Sequence, residues 1–212
     1  RVQNYNNLLA QRNKLLKTDF RNRLLLDTIS EKMQENAVYI YKCRGEFVKD
    51  FVPFVTKFYK DISGGREKVS VDYKSDLERG SLIELLNESF ERESRLGYTT
   101  VGVHRDELLF GMDGEQIRKV GSQGQQKSFL ISLKLAQYSL FKENTKHNPL
   151  LLLDDVFDKL DIKRVEFLLN LVSSSTFGQI FITDSNKVRI ENILSEIGNE
   201  SKTVEIEGGV IL

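Results

Sequence analysis

The chain has 212 residues, 40% hydrophobic and 29% charged, with 31 basic side chains against 31 acidic ones. That neutral balance excludes a general electrostatic grip on nucleic acid or membrane, so any DNA contact must come from a local patch. One cysteine (Cys43) and two histidines (His104, His147) exclude an intrachain disulfide and most zinc chemistry, and fit a reducing cytoplasm.

No apolar run approaches the roughly 18 residues of a membrane helix, and the basic, polar start is not a signal peptide. The chain opens at Arg1 directly in helix-like sequence (Tyr5, Leu8, Leu9, Arg12, Leu15, Leu16), as expected of a piece of a longer protein. From Leu26 apolar residues recur at helical spacing: Ile29, Met33, Ala37, Ile40, Phe47, Phe51, Val55, Phe58 and Ile62. Pro53 should kink or divide this helix near Val52, and Ser63-Gly64-Gly65 should end it. Lys68–Tyr73 alternates as a strand does, with Val69, Val71 and Tyr73 on one side. Ser81 caps a short helix to about Leu96, with Glu84 in the capping-box position and Gly97 as the stop.

After Gly97 the pattern changes. Tyr98–Val103 is β-branched and reads as a strand. Leu108–Met112 and Gln116–Val120 flank Asp113-Gly114, a strong hairpin-turn pair. A helix is expected from about Gln125 to Glu143, a strand at Leu150–Leu153, and a helix from about Ile162 to Ser173 with Asp161 as N-cap. Gln179–Thr183 reads as another strand, Asn186–Ile197 as another helix, and Lys202–Ile206 and Val210–Leu212 as strands joined through Gly208-Gly209. Strands alternating with helices predict a parallel-sheet core.

The residues around that core carry the chemistry. Asn148-Pro-Leu-Leu-Leu-Leu-Asp-Asp155 is an unbroken apolar run ending in adjacent carboxylates. Without alternation, both faces of such a strand are expected to be covered, and its carboxyl end is where open α/β sheets place ligands. There Asp154 would hold Mg2+, usually through water, and Asp155 would orient or deprotonate an attacking water. An acidic turn after a core strand accounts for the same residues. Gly121-Ser-Gln-Gly-Gln-Gln-Lys-Ser128 precedes a long helix, so its glycines and the helix start could approach a phosphate, and Ser122 could cap the helix and offer its hydroxyl. Taken alone, that stretch fits a polar loop with an N-cap better.

Taken together, these motifs resemble the ATP-binding-cassette ATPases. Ser122-Gln123-Gly124-Gln125-Gln126 resembles their signature, Leu152–Asp155 the Walker B strand, and Asp158-Lys159-Leu160-Asp161 the D-loop that crosses a dimer interface. Thr183-Asp184 falls at the switch position, where many members carry histidine. More closely, Ile62–Glu67, Gly102-Val-His-Arg-Asp-Glu107, Gly121–Lys127 and Leu150–Asp161 resemble the RecF family of bacterial recombinational repair, in that family's order. The family usually has proline where Val103 stands. The resemblance places His104 and Arg105 near the nucleotide or the head–arm junction; structural packing and a surface ion pair explain them as well. It implies an α/β fold: the C-terminal half of an ABC-type ATPase head, mostly parallel sheet with flanking helices, over 98–212. A helical arm lobe would occupy 1–97.

In the intact protein the resemblance implies ATP and Mg2+ held between two heads of an ATP-dependent homodimer. Asp154 and Asp155 would be catalytic, with Asp154 on the metal. Ser122, Gly124, Gln125, Asp161 and Thr183 would contact nucleotide. The implied partners are DNA at single-strand/double-strand junctions and the mediators RecO and RecR, acting in RecA loading. Two other readings stay open: a protein-interaction module in which the head portion only supports the arm, and another SMC-like repair ATPase. A P-loop is absent. Gly64-Gly65-Arg66-Glu67-Lys68 is the nearest imitation and lacks the Gly-Lys pair, so the chain alone is expected not to hydrolyse ATP.

Overall fold

The computed structural model describes residues 1–172, 177–186, 192 and 202–211. The chain divides into two compact units, Arg1–Val52 with Ser70–Gln116, and Pro53–Val69 with Ile117–Leu212. The contacts thus draw the division elsewhere than the pattern change at Gly97. They take Pro53–Val69 into the second unit and leave the residues from Gly97 to Gln116 in the first.

The first unit is built on helices α1 (Val2–Thr18), α2 (Arg23–Ser63) and α3 (Leu82–Leu96). Helix α2 is continuous through Pro53 rather than divided there, and it contributes to both units. The pyrrolidine nitrogen cannot donate to the carbonyl of Lys49, but a single missing bond leaves the remaining turns intact. At the end of α2 the Gly65 N–H returns to the Lys60 carbonyl at 2.9 Å, closing the last turn as the glycine pair predicts. Ile29, Met33, Ala37 and Ile40, spaced three or four apart, bury one face of α2 against Tyr5, Leu82, Leu86 and Val103. Helix α3 has its predicted capping box, with Ser81 and Glu84 each accepting from the other's backbone. It stops at Gly97, whose φ of 74° lies in the left-handed region.

One buried ion pair ties α1 to α3. Arg12 Nη1 donates to Glu93 Oε2 at 2.6 Å, with the two side chains 2% and 0% exposed. The same nitrogen reaches Thr99 Oγ1 at 2.7 Å, and Glu93 Oε1 accepts from the Thr100 N–H at 2.6 Å. This network explains why Tyr98–Val103 is not the strand its composition predicts. Its backbone donors are taken by side chains: Thr99 by Asn13 at 2.8 Å, Thr100 by Glu93, and Gly102 by Asp76 at 3.0 Å. Strand β1 (Val69–Lys74) joins β2 (Glu107–Met112) and β3 (Glu115–Gln116) in a three-stranded sheet. The Asp113-Gly114 hairpin forms, with positive φ at both residues. Its second arm is short because Ile117–Val120 turns helical (α4) instead of extending, with the Gly121 N–H bonded to the Ile117 carbonyl at 2.8 Å.

In the second unit the long helix α5 (Gln123–Thr145) is followed by β4 (Leu151–Asp154), α6 (Ile162–Val172) and β5 (Ile180–Thr183). Strands β4 and β5 pair in parallel, Leu151 opposite Ile180 through Asp154 opposite Thr183, as the alternating pattern predicts. Leu151, Leu153, Phe129, Leu135, Leu168 and Phe177 are buried. Tyr138 meets the Phe177 ring at 4.9 Å and bonds the Gly178 N–H at 2.8 Å. The expectation that β4 is covered on both faces fails. Leu152 is 71% exposed opposite an exposed Phe181, so among the described residues only one face of the pair is packed. A two-residue pair, β6 (Ile206–Glu207) and β7 (Val210–Ile211), closes the chain at the predicted glycine turn. The helix expected over Asn186–Ile197 falls almost wholly outside the described residues. No helix among the described residues is long and apolar enough to cross a membrane.

Removing one member of the Arg12–Glu93 pair strands the other charge without water. Glu93→Ala is therefore expected to cost about 3–5 kcal/mol, read as a lower urea midpoint at unchanged slope.

Candidate functional site

Two clusters emerge in the second unit. The first lies at the carboxyl end of the parallel pair. Asp154 and Asp155 are exposed there, and the Thr183 hydroxyl donates to Asp154 Oδ1 across the strand register. The Asp155 N–H bonds the Thr183 carbonyl at 3.1 Å, extending the ladder one residue past the strand. Asp155 then turns sharply: its φ is 47°, in a left-handed region that aspartate tolerates better than most residues. Its carbonyl accepts from Lys127 Nζ at 2.8 Å. Thus Asp154, Asp155 and Thr183, each singled out from sequence, do meet at one sheet edge. No group of three or more His, Cys, Asp or Glu able to hold a metal occurs among the described residues. A single exposed carboxylate suits a magnesium ion, which keeps several waters and takes its remaining ligands from phosphate oxygens.

The second cluster surrounds the start of α5. Ser122 is its N-cap: Ser122 Oγ accepts from the Gln125 N–H at 3.3 Å, and Gln125 Oε1 accepts from the Ser122 N–H at 2.7 Å. Gln125 Nε2 donates to Glu67 Oε1 at 2.9 Å, and the same oxygen accepts from Arg164 Nη2 at 3.1 Å. Arg164 is buried and fully engaged. Its Nη1 reaches Ser128 Oγ at 2.9 Å and its Nε reaches Asp161 Oδ2 at 3.3 Å. Asp161 caps α6 as predicted, accepting from the Arg164 N–H at 2.9 Å. That backbone bond, aided by the Arg164 and Arg66 charges, holds its carboxyl below the usual aspartate range.

The two clusters adjoin. Lys127, one turn into α5, reaches the backbone of Asp155, and a Cβ on Gly124 would lie 2.9 Å from the Lys159 carbonyl. Gly124 is therefore glycine because α5 starts against the backbone of the 158–161 segment. Sequence reasoning found Ser122, Gly124, Gln125, Asp154, Asp155, Asp161 and Thr183, but missed Arg164, Lys127 and Ser128 as their supports. Arg164 had a readable signal, since it stands three residues after an N-cap aspartate and shares its face. The bond from Lys127 to Asp155 joins residues distant in sequence and had none.

His104 belongs to the first unit. Its Nε2 lies 3.3 Å from the Thr99 carbonyl, which can only accept, so Nε2 carries the proton and Nδ1 accepts from the Tyr5 hydroxyl at 3.1 Å. Burial lowers the pKa of His104. Both ring nitrogens thus make contacts within the first unit. An open cavity of about 300 Å³ in the same unit is lined by Arg44, Tyr73, His104 and Asp106 among others, and by none of the residues of the two clusters.

Two outcomes are expected. Gly124→Ala should separate α5 from the Lys159 carbonyl and destabilise the second unit by about 1–3 kcal/mol, measured by thermal melting. Because the folded state disfavours protonated His104, its contribution is complete above the ordinary histidine value of 6.5 and is lost as pH falls through that value toward the lowered one. The urea midpoint should accordingly drop between pH 7.5 and 5.5, and His104→Gln should flatten that part of the profile.

No protein-family model matches the chain. Individual relatives do. The chain is 45% identical over 208 residues to the DNA replication and repair protein RecF of Porphyromonas gingivalis, covering 98% of this chain and 57% of that protein. It is 42% identical over 208 residues to RecF of Bacteroides thetaiotaomicron, covering 98% and 56%. Its backbone is similar to a solved structure of the recombination mediator protein RecF-ATPrS in the RecFOR pathway, with a TM-score of 0.75 at 26% identity over 99% of this chain and 57% of that one. A RecF-ATP structure of the same pathway gives 0.74 at 29% identity over 88% and 52%. The chain thus spans a little over half the length of the relatives it matches, and over that span it belongs to the RecF family.

Proposed function

We propose that this chain supplies the signature, Walker B and D-loop elements of a RecF-type recombinational-repair ATPase. The observation that carries the reading is the pair of exposed carboxylates at the end of the parallel strands, tied by Lys127 to the helix that Ser122 caps. Similarity to RecF structures named for their ATP or ATPrS supports the nucleotide. In this reading Asp154 holds Mg2+ through water, and the ion when bound neutralises charge on the phosphates. Asp155 orients or deprotonates the attacking water, its backbone pinned from both sides by Thr183 and Lys127. Thr183 fixes one oxygen of the exposed Asp154.

Ser122 and Gly124 close on the γ-phosphate of ATP held by a second subunit. Gln125 keeps the cap in place and Asp161 lies at the dimer interface. The Ser122 hydroxyl accepts one backbone bond and retains its own proton to donate, as a contact to an anionic oxygen requires. Nucleotide-driven dimerisation would then control grip on DNA at single-strand/double-strand junctions. RecO and RecR would be partners in RecA loading, in the cytoplasm. Lys14, Lys17, Arg21 and Arg23 form one basic cluster along the chain, which a DNA contact and a solvated helix face explain equally well. Of the competing readings, the interaction module gives no reason for the paired acids and the capped glycine loop to adjoin.

The test is dimerisation of the protein at the length of its relatives. Ser122→Arg should abolish ATP-dependent dimers in sedimentation while leaving the monomer folded. Dimers formed at wild-type ATP concentrations would refute the assignment. The 212-residue chain alone should show no ATP turnover.

A further inference from the structure

We infer that Glu67 and Arg164 are a positioning pair linking the D-loop residue Asp161 to the signature serine Ser122. The inference rests on the reading of Ser122 as a contact to nucleotide. It rests on a continuous chain of directed hydrogen bonds. Asp161 accepts from Arg164, Arg164 donates to Glu67, Glu67 accepts from Gln125, and Gln125 accepts from the Ser122 N–H. Chemistry sets every direction. A guanidinium only donates and a carboxylate only accepts, so the Gln125 amide must turn its nitrogen to Glu67 and its oxygen to Ser122. The polarity of the Ser122 cap therefore depends on a charge that is outside the loop.

The burial pattern distinguishes this chain from an ordinary surface network. Arg164 and Glu67 are 5% and 14% exposed, whereas Asp161 is 54% exposed and Ser122 lies open. Ligand-facing residues sit at the two ends and the coupling charges sit inside, where their attraction is little screened. Glu67 Oε1 accepts from both Arg164 and Gln125, so a movement of either donor shifts the oxygen on which the other is seated. If a facing subunit engages Asp161, Arg164 loses its Nε partner and leans on Glu67 and Ser128, which shifts the seat of Gln125. Engagement at one end is thereby felt at the other.

The experiment compares Glu67→Ala with Glu67→Gln in the protein at the length of its relatives, using ATP as the probe. Expected for Glu67→Ala is a loss of about tenfold in ATP-dependent dimerisation and a similar fall in kcat, within the range of coupling between linked sites. The monomer's affinity for ATP should not change. Glu67→Gln retains an acceptor for Gln125 and should recover most of the dimerisation. Where Glu67→Ala fails to fold, because the buried Arg164 keeps only the half-exposed Asp161 as a counter-charge, Gln125→Ala cuts the last link with the Glu67–Arg164 pair intact and should give the same dimerisation defect. Ser122→Arg is the control that separates the two levels. If it leaves dimers intact, the nucleotide reading itself fails. If it abolishes dimers while folded Glu67→Ala or Gln125→Ala dimerises normally, the positioning inference alone is overturned. Equal losses of monomer ATP affinity and dimerisation would also overturn it.

Discussion

The guanidinium of Arg164 organises the second unit. Planar and permanently charged, it presents a fixed fork of donors, and here the fork is spent on three different pieces of chain: the cap of its own helix, the first turns of α5, and the segment after α2. A lysine could not divide itself in this way, since a point charge on a flexible stem holds one partner well and the others poorly. Ser128 is buried with it and Glu67 is only 14% exposed, so a group removed here leaves its neighbours a bond short with little water to replace it. Elements that would otherwise be three independent loops therefore share one geometry.

The first unit solves a similar problem with Arg12 and Glu93, but to another end. There the charges hold helices together, and Glu93, with Asn13 and Asp76, takes up backbone donors of 99–102, turning a β-branched stretch into a braced connection. In the second unit the charges hold the residues of the proposed site. The contrast shows why a buried ion pair is not in itself a sign of function: what differs is whether its outer members are exposed and whether they carry chemistry.

Much of this was legible along the chain. The caps at Ser81, Ser122 and Asp161, the stops at Gly65 and Gly97, and the Asp113-Gly114 turn are local effects, settled by residues within a few positions of one another, and they stand where the pattern placed them. Misreadings came where distant groups intervene. Tyr98–Val103 has strand composition, but the partners that decide its backbone are Asn13, Asp76 and Glu93. The leucine run suggested a strand covered on both sides, yet hydrophobicity records only what a residue can be buried against, and Leu152 has no cover among the described residues. At the site, the acids and the capped loop were visible as motifs, while Arg164 and Lys127 were not, because their meaning lies in contacts that only folding creates.

The left-handed turn at Asp155 has a consequence for which acids this position accepts. A carboxylate is required there by the proposed chemistry, and glutamate would supply one on a longer arm. The backbone discriminates between them: aspartate and asparagine enter this conformation readily, whereas other side chains meet a steric cost of roughly 1–2 kcal/mol. With Thr183 and Lys127 fixing the peptide groups on both sides, the main chain has little room to relieve that cost by rotating away. The choice between the two acids is thus made by the curvature of the loop before any substrate arrives. An asparagine variant removes the charge and keeps the path of the chain; an alanine variant disturbs both together.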